Sequence, residues 1–167
     1  ALVRLLATLH DDDGNVAVEG LYEGTAVDVD RGPEWVATET GMLDGVQQIG
    51  SSSVVQRLWA KPAITVIGID TTSIAKASNT LIPRARAKVS MRVAPGQDAR
   101  AAYRAIEEHL RAHAPFGAEV SFSDIECGNG FLVDTSAAAV AAARAALEAR
   151  YGATPVGIGV GGSIPFI

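Results

Sequence analysis

Arg84-Ala85-Arg86-Ala87-Lys88-Val89-Ser90-Met91-Arg92-Val93 is the stretch on which the fold turns. Polar and apolar side chains alternate along it, and a period of two puts Ala85, Ala87, Val89, Met91 and Val93 on one face of a strand. Arg84, Arg86, Lys88, Ser90 and Arg92 take the other face. A strand that is apolar on one side and basic on the other belongs to a sheet with one covered face, the antiparallel pattern. Pro95-Gly96-Gln97-Asp98 then turns the chain, and Asp98 is a suitable N-cap for a helix over 99–113. The apolar stripe of that helix is Ala102 or Tyr103, Ile106 and Leu110.

Upstream, Ala63-Ile64-Thr65-Val66-Ile67-Gly68-Ile69 is a β-branched run that predicts a second strand. A short helix over 53–59 stops ahead of Pro62. Residues 24–60 are otherwise irregular, with Gly24, Gly32, Pro33, Gly41, Gly45 and Gly50. Leu2, Leu5, Leu6 and Leu9 make 1–9 helical, and Asp11-Asp12-Asp13-Gly14-Asn15 breaks that helix in a tight turn. Past Pro115-Phe116-Gly117, residues 118–122 read as another strand. Helix, strand, strand, helix, strand predicts an α+β fold, a two-layer sandwich of an antiparallel sheet with helices on one face. The character shifts near 124–130. Thr135 or Ser136 caps an Ala-rich helix to about Arg150 with Gly152 beyond it, and 156–160 read as a strand before the Gly161-Gly162-Ser163 turn.

The chain has 167 residues, enough for about one domain or one and a fraction. At 48% apolar and 20% charged it can bury a real core. A net charge of −5 argues against general nucleic-acid binding and against binding an anionic membrane surface. No apolar run approaches the roughly 18 residues of a membrane-spanning helix. A single cysteine excludes an intrachain disulfide and a multi-thiolate metal site, and the cytoplasm is the expected setting. The chain opens on Ala1 without Met and closes on the apolar Ile164-Pro165-Phe166-Ile167, which predicts a piece of a longer protein.

Several motifs invite chemistry. Asp11-Asp12-Asp13-Gly14 suggests a calcium loop, but the sixth and twelfth positions would be Val16 and Tyr22 rather than Gly and Glu, so a solvated turn is expected. His109 and His113 stand four apart, yet Leu110 occupies the place of a zincin glutamate, and exposed residues near a helix C-terminus are expected. Gly157-Ile158-Gly159-Val160-Gly161-Gly162 matches GxGxxG, but Ile164-Pro165 follows where a helix should begin, so a close backbone approach is the better reading. Cys127 reads as an ordinary thiol without a histidine partner. Ser163 lacks the GxSxG elbow of a nucleophile and suits a hydroxyl and amide donor to a ligand. The basic strand face is either a solvated face that keeps a sheet from associating or a carboxylate site with Arg92 as its bidentate clamp. Asn79 and Thr80 supply an amide and a hydroxyl at its entrance.

The run from Asn79-Thr80-Leu81-Ile82-Pro83 through Pro95-Gly96-Gln97 resembles the signature of the lid, or dimerisation, domain of the M20 metallopeptidases, in the dipeptidase and carnosinase-like branch. Residues 9–22, Arg57-Leu58-Trp59-Ala60-Lys61-Pro62 and Gly161-Gly162-Ser163-Ile164-Pro165 agree with it in the same order. The resemblance implies a lid over 1–125 and a partial return into an α/β catalytic domain over 126–167. It implies that Asn79 and Thr80 contact substrate in a partner subunit's active site, that Arg92 clamps the substrate carboxylate, and that Gly162 and Ser163 help to hold it. It further implies a homodimer formed through the lid, and a small peptide substrate with a free C-terminal carboxylate. Two zinc ions would be held by residues outside this sequence, and the fragment itself would bind no metal, carry no catalytic residue and be inert. No substrate-binding His stands within 126–131, where some relatives carry one, so N-acyl amino acid deacylases of the succinyl-diaminopimelate desuccinylase type remain an alternative. A non-catalytic self-association module is the other.

Overall fold

The computed structural model describes residues 1–25 and 32–160. Its elements are α1 (Leu2–Ala7), α2 (Pro33–Thr40), α3 (Val54–Trp59), β1 (Ala63–Asp70), β2 (Arg86–Arg92), α4 (Ala99–Ala112) and α5 (Ala138–Tyr151). Single 3₁₀ turns lie at Ile74–Lys76 and Pro115–Gly117.

β1 and β2 pair antiparallel, from Ala63 opposite Arg92 to Asp70 opposite Arg86. Ile64 faces Met91 and Val66 faces Val89 on the covered side, while Thr65 faces Ser90 on the other. Between Val66 and Gly68 the register shifts, so Ile67 is an extra residue in a bulge. α1 and α4 cover the inner face. Leu5, Leu9, Val18, Ile64, Ile106 and Leu110 form the core, with Val89, Met91, Val120 and Phe122 packed against it. Leu9 has no exposed surface, and burying such a side chain contributes about 1.5–3 kcal/mol. α4 buries Ala99, Ala102, Ile106 and Leu110 at helical spacing, and Asp98 Oδ1 accepts from the Ala101 N–H at 2.7 Å, the cap expected from the sequence. The mixed architecture, an antiparallel sheet under helices, is the one the alternation of 84–93 implied.

The remaining expectations meet the structure unevenly. α3 begins after Ser53, whose side chain accepts from the Gln56 N–H at 3.3 Å. Residues 118–122 form no ladder. The Val120 carbonyl accepts instead from Arg111 Nη1 at 3.0 Å, so a side chain takes a bond that a strand would use. No ladder forms over 156–160 either. Gly159 lies so close to Trp59 that a Cβ there would sit 2.7 Å from the Trp59 Cβ, which is the close backbone approach expected of that glycine. α5 starts at Ala138 with no side-chain cap, because Asp134 Oδ1 draws both the N–H (2.9 Å) and the hydroxyl (2.6 Å) of Ser136 into a turn of their own. Its C-terminal Gly152 is left-handed at φ 69°, the conformation that ends helices on glycine. No residue of α5 is buried.

α2 was not anticipated. Gly32 and Pro33 at its start and Gly41 at its end, left-handed at φ 64°, are the signals that mark it. Asp11 Oδ1 accepts from the N–H groups of Asp13 (3.0 Å) and Asn15 (2.8 Å), which makes the acidic turn a self-satisfied loop closed by a His10–Val16 bridge. The Asn15 bonds hold the Asp11 carboxyl below the ordinary carboxylate range.

Candidate functional site

The sequence nominated Asn79, Thr80, Arg92, Gly162 and Ser163. Gly162 and Ser163 lie outside the described residues. Arg92 closes β2 on the outer face of the hairpin, exposed and opposite Ala63. Lys88, Ser90 and Arg86 share that face by their alternation. Arg86 is paired on the surface: its Nη2 lies 2.7 Å from Asp70 Oδ2, in the cross-strand pair that closes the ladder. Arg84 precedes β2 rather than extending it, because the ladder ends at the Asp70–Arg86 pair. Its side chain instead lines an open cleft of about 310 Å³ with Asp70, Thr71, Thr72, Ile82 and Pro83.

Asn79 and Thr80 ride on the connection between β1 and β2, where every residue from 71 to 85 is exposed. The Ser78 hydroxyl accepts from the Thr80 N–H at 3.3 Å. Ile74 and Leu81 are 96% and 92% exposed, so the connection carries apolar side chains away from the core. At about 3.3 Å of rise per residue, β2 alone separates its two ends by roughly 20 Å. Arg92 stands at one end of that strand and the connection at the other. The connection that carries Asn79 and Thr80 thus joins the hairpin at the end opposite Arg92.

Among the described residues no three His, Cys, Asp or Glu side chains come together as metal ligands. His109 and His113 do share a face, but they are stacked with ring centroids 4.1 Å apart, and each commits a nitrogen to protein oxygens. The described donor set does not fit a metal centre. His109 also departs from the exposed residue expected there: it is half-buried against Thr8. Burial, and then the neighbouring His113, push its pKa below the ordinary 6.5.

Two positioning residues escaped the sequence reading. Gln97 is buried, with Nε2 donating to the Gly20 carbonyl at 3.2 Å and Oε1 accepting from the Tyr22 N–H at 3.0 Å. Asn129 Oδ1 accepts from the Ala99 N–H at 2.8 Å and gives α4 a second cap from 30 residues away. Nothing local in the sequence signals either bond, since each depends on a chain crossing.

A family model described as the peptidase dimerisation domain of the M20 group matches residues 1–118. The chain is 34% identical over 99% of its length to a cysteinylglycine-S-conjugate dipeptidase of Corynebacterium striatum. It is 22% identical over 98% of its length to the Cys-Gly metallodipeptidase dug1 of Schizosaccharomyces pombe. It spans 37% of each of these relatives. Among solved structures, human carnosine dipeptidase 1 superposes with a TM-score of 0.68 at 21% identity, covering 98% of this chain and 38% of that one. These matches bear out the resemblance carried by 79–97 and the flanking stretches.

Proposed function

The chain belongs to the M20 peptidase dimerisation-domain family, and on that premise we propose that it is the lid and dimerisation region of a zinc-dependent dipeptidase acting on short peptides with a free C-terminal carboxylate. The observation that carries this reading is the placement of the donors. Arg92 presents a guanidinium on the uncovered sheet face, and Asn79 and Thr80 stand on an exposed connection at the far end of the same hairpin.

A guanidinium matches a carboxylate with two parallel N–H donors, so Arg92 binds and orients the peptide terminus. Asn79 offers an amide and Thr80 a hydroxyl, groups that position a peptide without changing protonation state. Asn79 and Thr80, carried on the exposed connection, reach the active site of a partner copy. Neither outer edge of the β1–β2 hairpin has a ladder partner among the described residues, which suits a homodimer paired through the lid. In this reading the lid runs over 1–125, and α5 begins the return into a catalytic domain that also meets Gly162 and Ser163. Zinc, when bound by residues outside this chain, supplies the Lewis acid and the activated water for hydrolysis. The lone exposed thiol, Cys127, fits a cytoplasmic protein.

The test is Cys-Gly hydrolysis by a protein that carries this chain within its catalytic domain, beside the 167-residue chain alone. Zinc-dependent activity in the first and none in the second supports the reading. Activity confined to N-acyl amino acids moves the assignment to a deacylase. Hydrolysis by the chain alone overturns it.

A further inference from the structure

His109 and His113 on α4 and Thr8 just past α1 form a cluster that substrate binding does not use. His109 Nε2 lies 2.9 Å from the Thr8 carbonyl oxygen and 3.0 Å from Thr8 Oγ1. Thr8 Oγ1 donates its own proton to the Leu5 carbonyl at 2.7 Å. With that proton committed, both Thr8 oxygens act as acceptors, so the bonding network assigns the hydrogen to His109 Nε2. His113 Nδ1 in turn donates to the His109 carbonyl at 2.8 Å. The rings stack at 4.1 Å with 26° between their planes. The next protons can enter only at His109 Nδ1 and His113 Nε2, and filling both sites places two cations face to face.

Burial and then His113 oppose a charged His109, whereas its bond to the Thr8 carbonyl and then Glu19 favour one. On α4 itself, Glu107 and Arg111 are paired with each other at 2.7 Å. The charged residue of α1 is Arg4, whose guanidinium lies over the Phe116 ring. His10, two residues past Thr8, joins Val16 through its backbone.

We propose that Thr8, His109 and His113 form a proton-sensitive latch, which clasps the end of α1 to the last turn of α4 while the histidines are neutral and releases it when both are protonated. A single proton leaves every bond in place, because Nε2 of His109 and Nδ1 of His113 remain donors. The second proton sets like charges at stacking distance, and the rings separate. α1 and α4 carry Leu5, Ile106 and Leu110 of the core beneath the hairpin, so release loosens the layer that supports the basic sheet face.

Amide hydrogen exchange of the chain, corrected for intrinsic rates and compared near pH 7.5 and about pH 5, reads the latch. Protection of the Leu9 amide and of the last turn of α4 should fall by about tenfold at the lower pH, while the middle of α4 holds. His109→Gln keeps a donor toward Thr8 without a titrating ring and should lose this acid response. His113→Gln leaves the Thr8 contacts intact, so it guards against a folding defect. In that variant the His109 ring should titrate at a higher pH, and the acid response should shrink. Equal protection at both pH values overturns the proposal. So does an acid response that both variants retain, or a His109 titration that His113→Gln leaves unmoved.

Discussion

Gln97 and Tyr22 are joined across 75 residues of sequence by a bond in which the Gln97 Oε1 accepts from the Tyr22 N–H at 3.0 Å. The same side chain donates to Gly20, so both ends of a buried amide are satisfied, and the turn ahead of α4 is held to the chain that follows Val18. Gln97→Ala strands a backbone donor and a backbone acceptor at once. It should cost about 1–3 kcal/mol of stability, read from the denaturant midpoint at unchanged slope. A loss no larger than that of an exposed alanine substitution would mean that water replaces both bonds.

Gly159 runs over the Trp59 side chain with no room for a methyl group. Gly159→Ala should therefore lift 156–160 off α3, at roughly 1 kcal/mol or more for overpacking. In a Trp35→Phe background, the Trp59 fluorescence should shift to the red as its face is uncovered. An unchanged spectrum would show that the segment does not rest there.

Arg92→Ala, made in a protein that carries this chain beside a catalytic domain, should lower kcat/KM for free-carboxylate dipeptides by about 2–4 kcal/mol of transition-state binding. Amidating the peptide's C-terminus should erase most of the difference between variant and parent. If both enzymes discriminate equally against the amide, Arg92 is not the clamp.

Glu107 accepts from the Tyr103 hydroxyl and from Arg111, at 3.0 Å to Nε and 2.7 Å to Nη2. The Tyr103 bond first, then Arg111, hold its carboxyl below the ordinary 4.5. The unfolded chain therefore takes up the proton before the folded one does. The stabilisation is complete above the ordinary value and disappears as the pH falls through the folded one. Glu107→Gln should flatten the acid side of the stability profile, as the pH falls below the ordinary 4.5, while leaving the neutral side less stable. Denaturant midpoints across that range decide it, and parallel profiles for the two proteins would contradict it.

The basic strand shows how far the sequence could be read. Alternation over 84–93 was sufficient for β2 and for its inner and outer faces, because a period of two has one geometric meaning. The same alternation could not separate Arg86 from Arg92. Whether a strand cation is engaged depends on the residue opposite: Asp70 meets Arg86, and Ala63 meets Arg92. That register passes through the bulge at Ile67, which no property of the β-branched run announced. The helix over 33–40 was legible from Gly32, Pro33 and Gly41, but it lay within a glycine-rich stretch whose composition argued for irregular chain.

The sequence by itself determined the α+β class, the stripe of α4, the cap at Asp98 and the family, because each rests on local periodicity or on an ordered string of residue types. Only the tertiary structure decided that Arg86 meets Asp70 while Arg92 meets Ala63, that 118–122 spend a carbonyl on Arg111, and that His109 is half-buried against Thr8. These are matters of which segments meet across long separations. A chain's local preferences do not encode such meetings residue by residue, because they emerge when the apolar faces of α1, α4 and the hairpin close on one core.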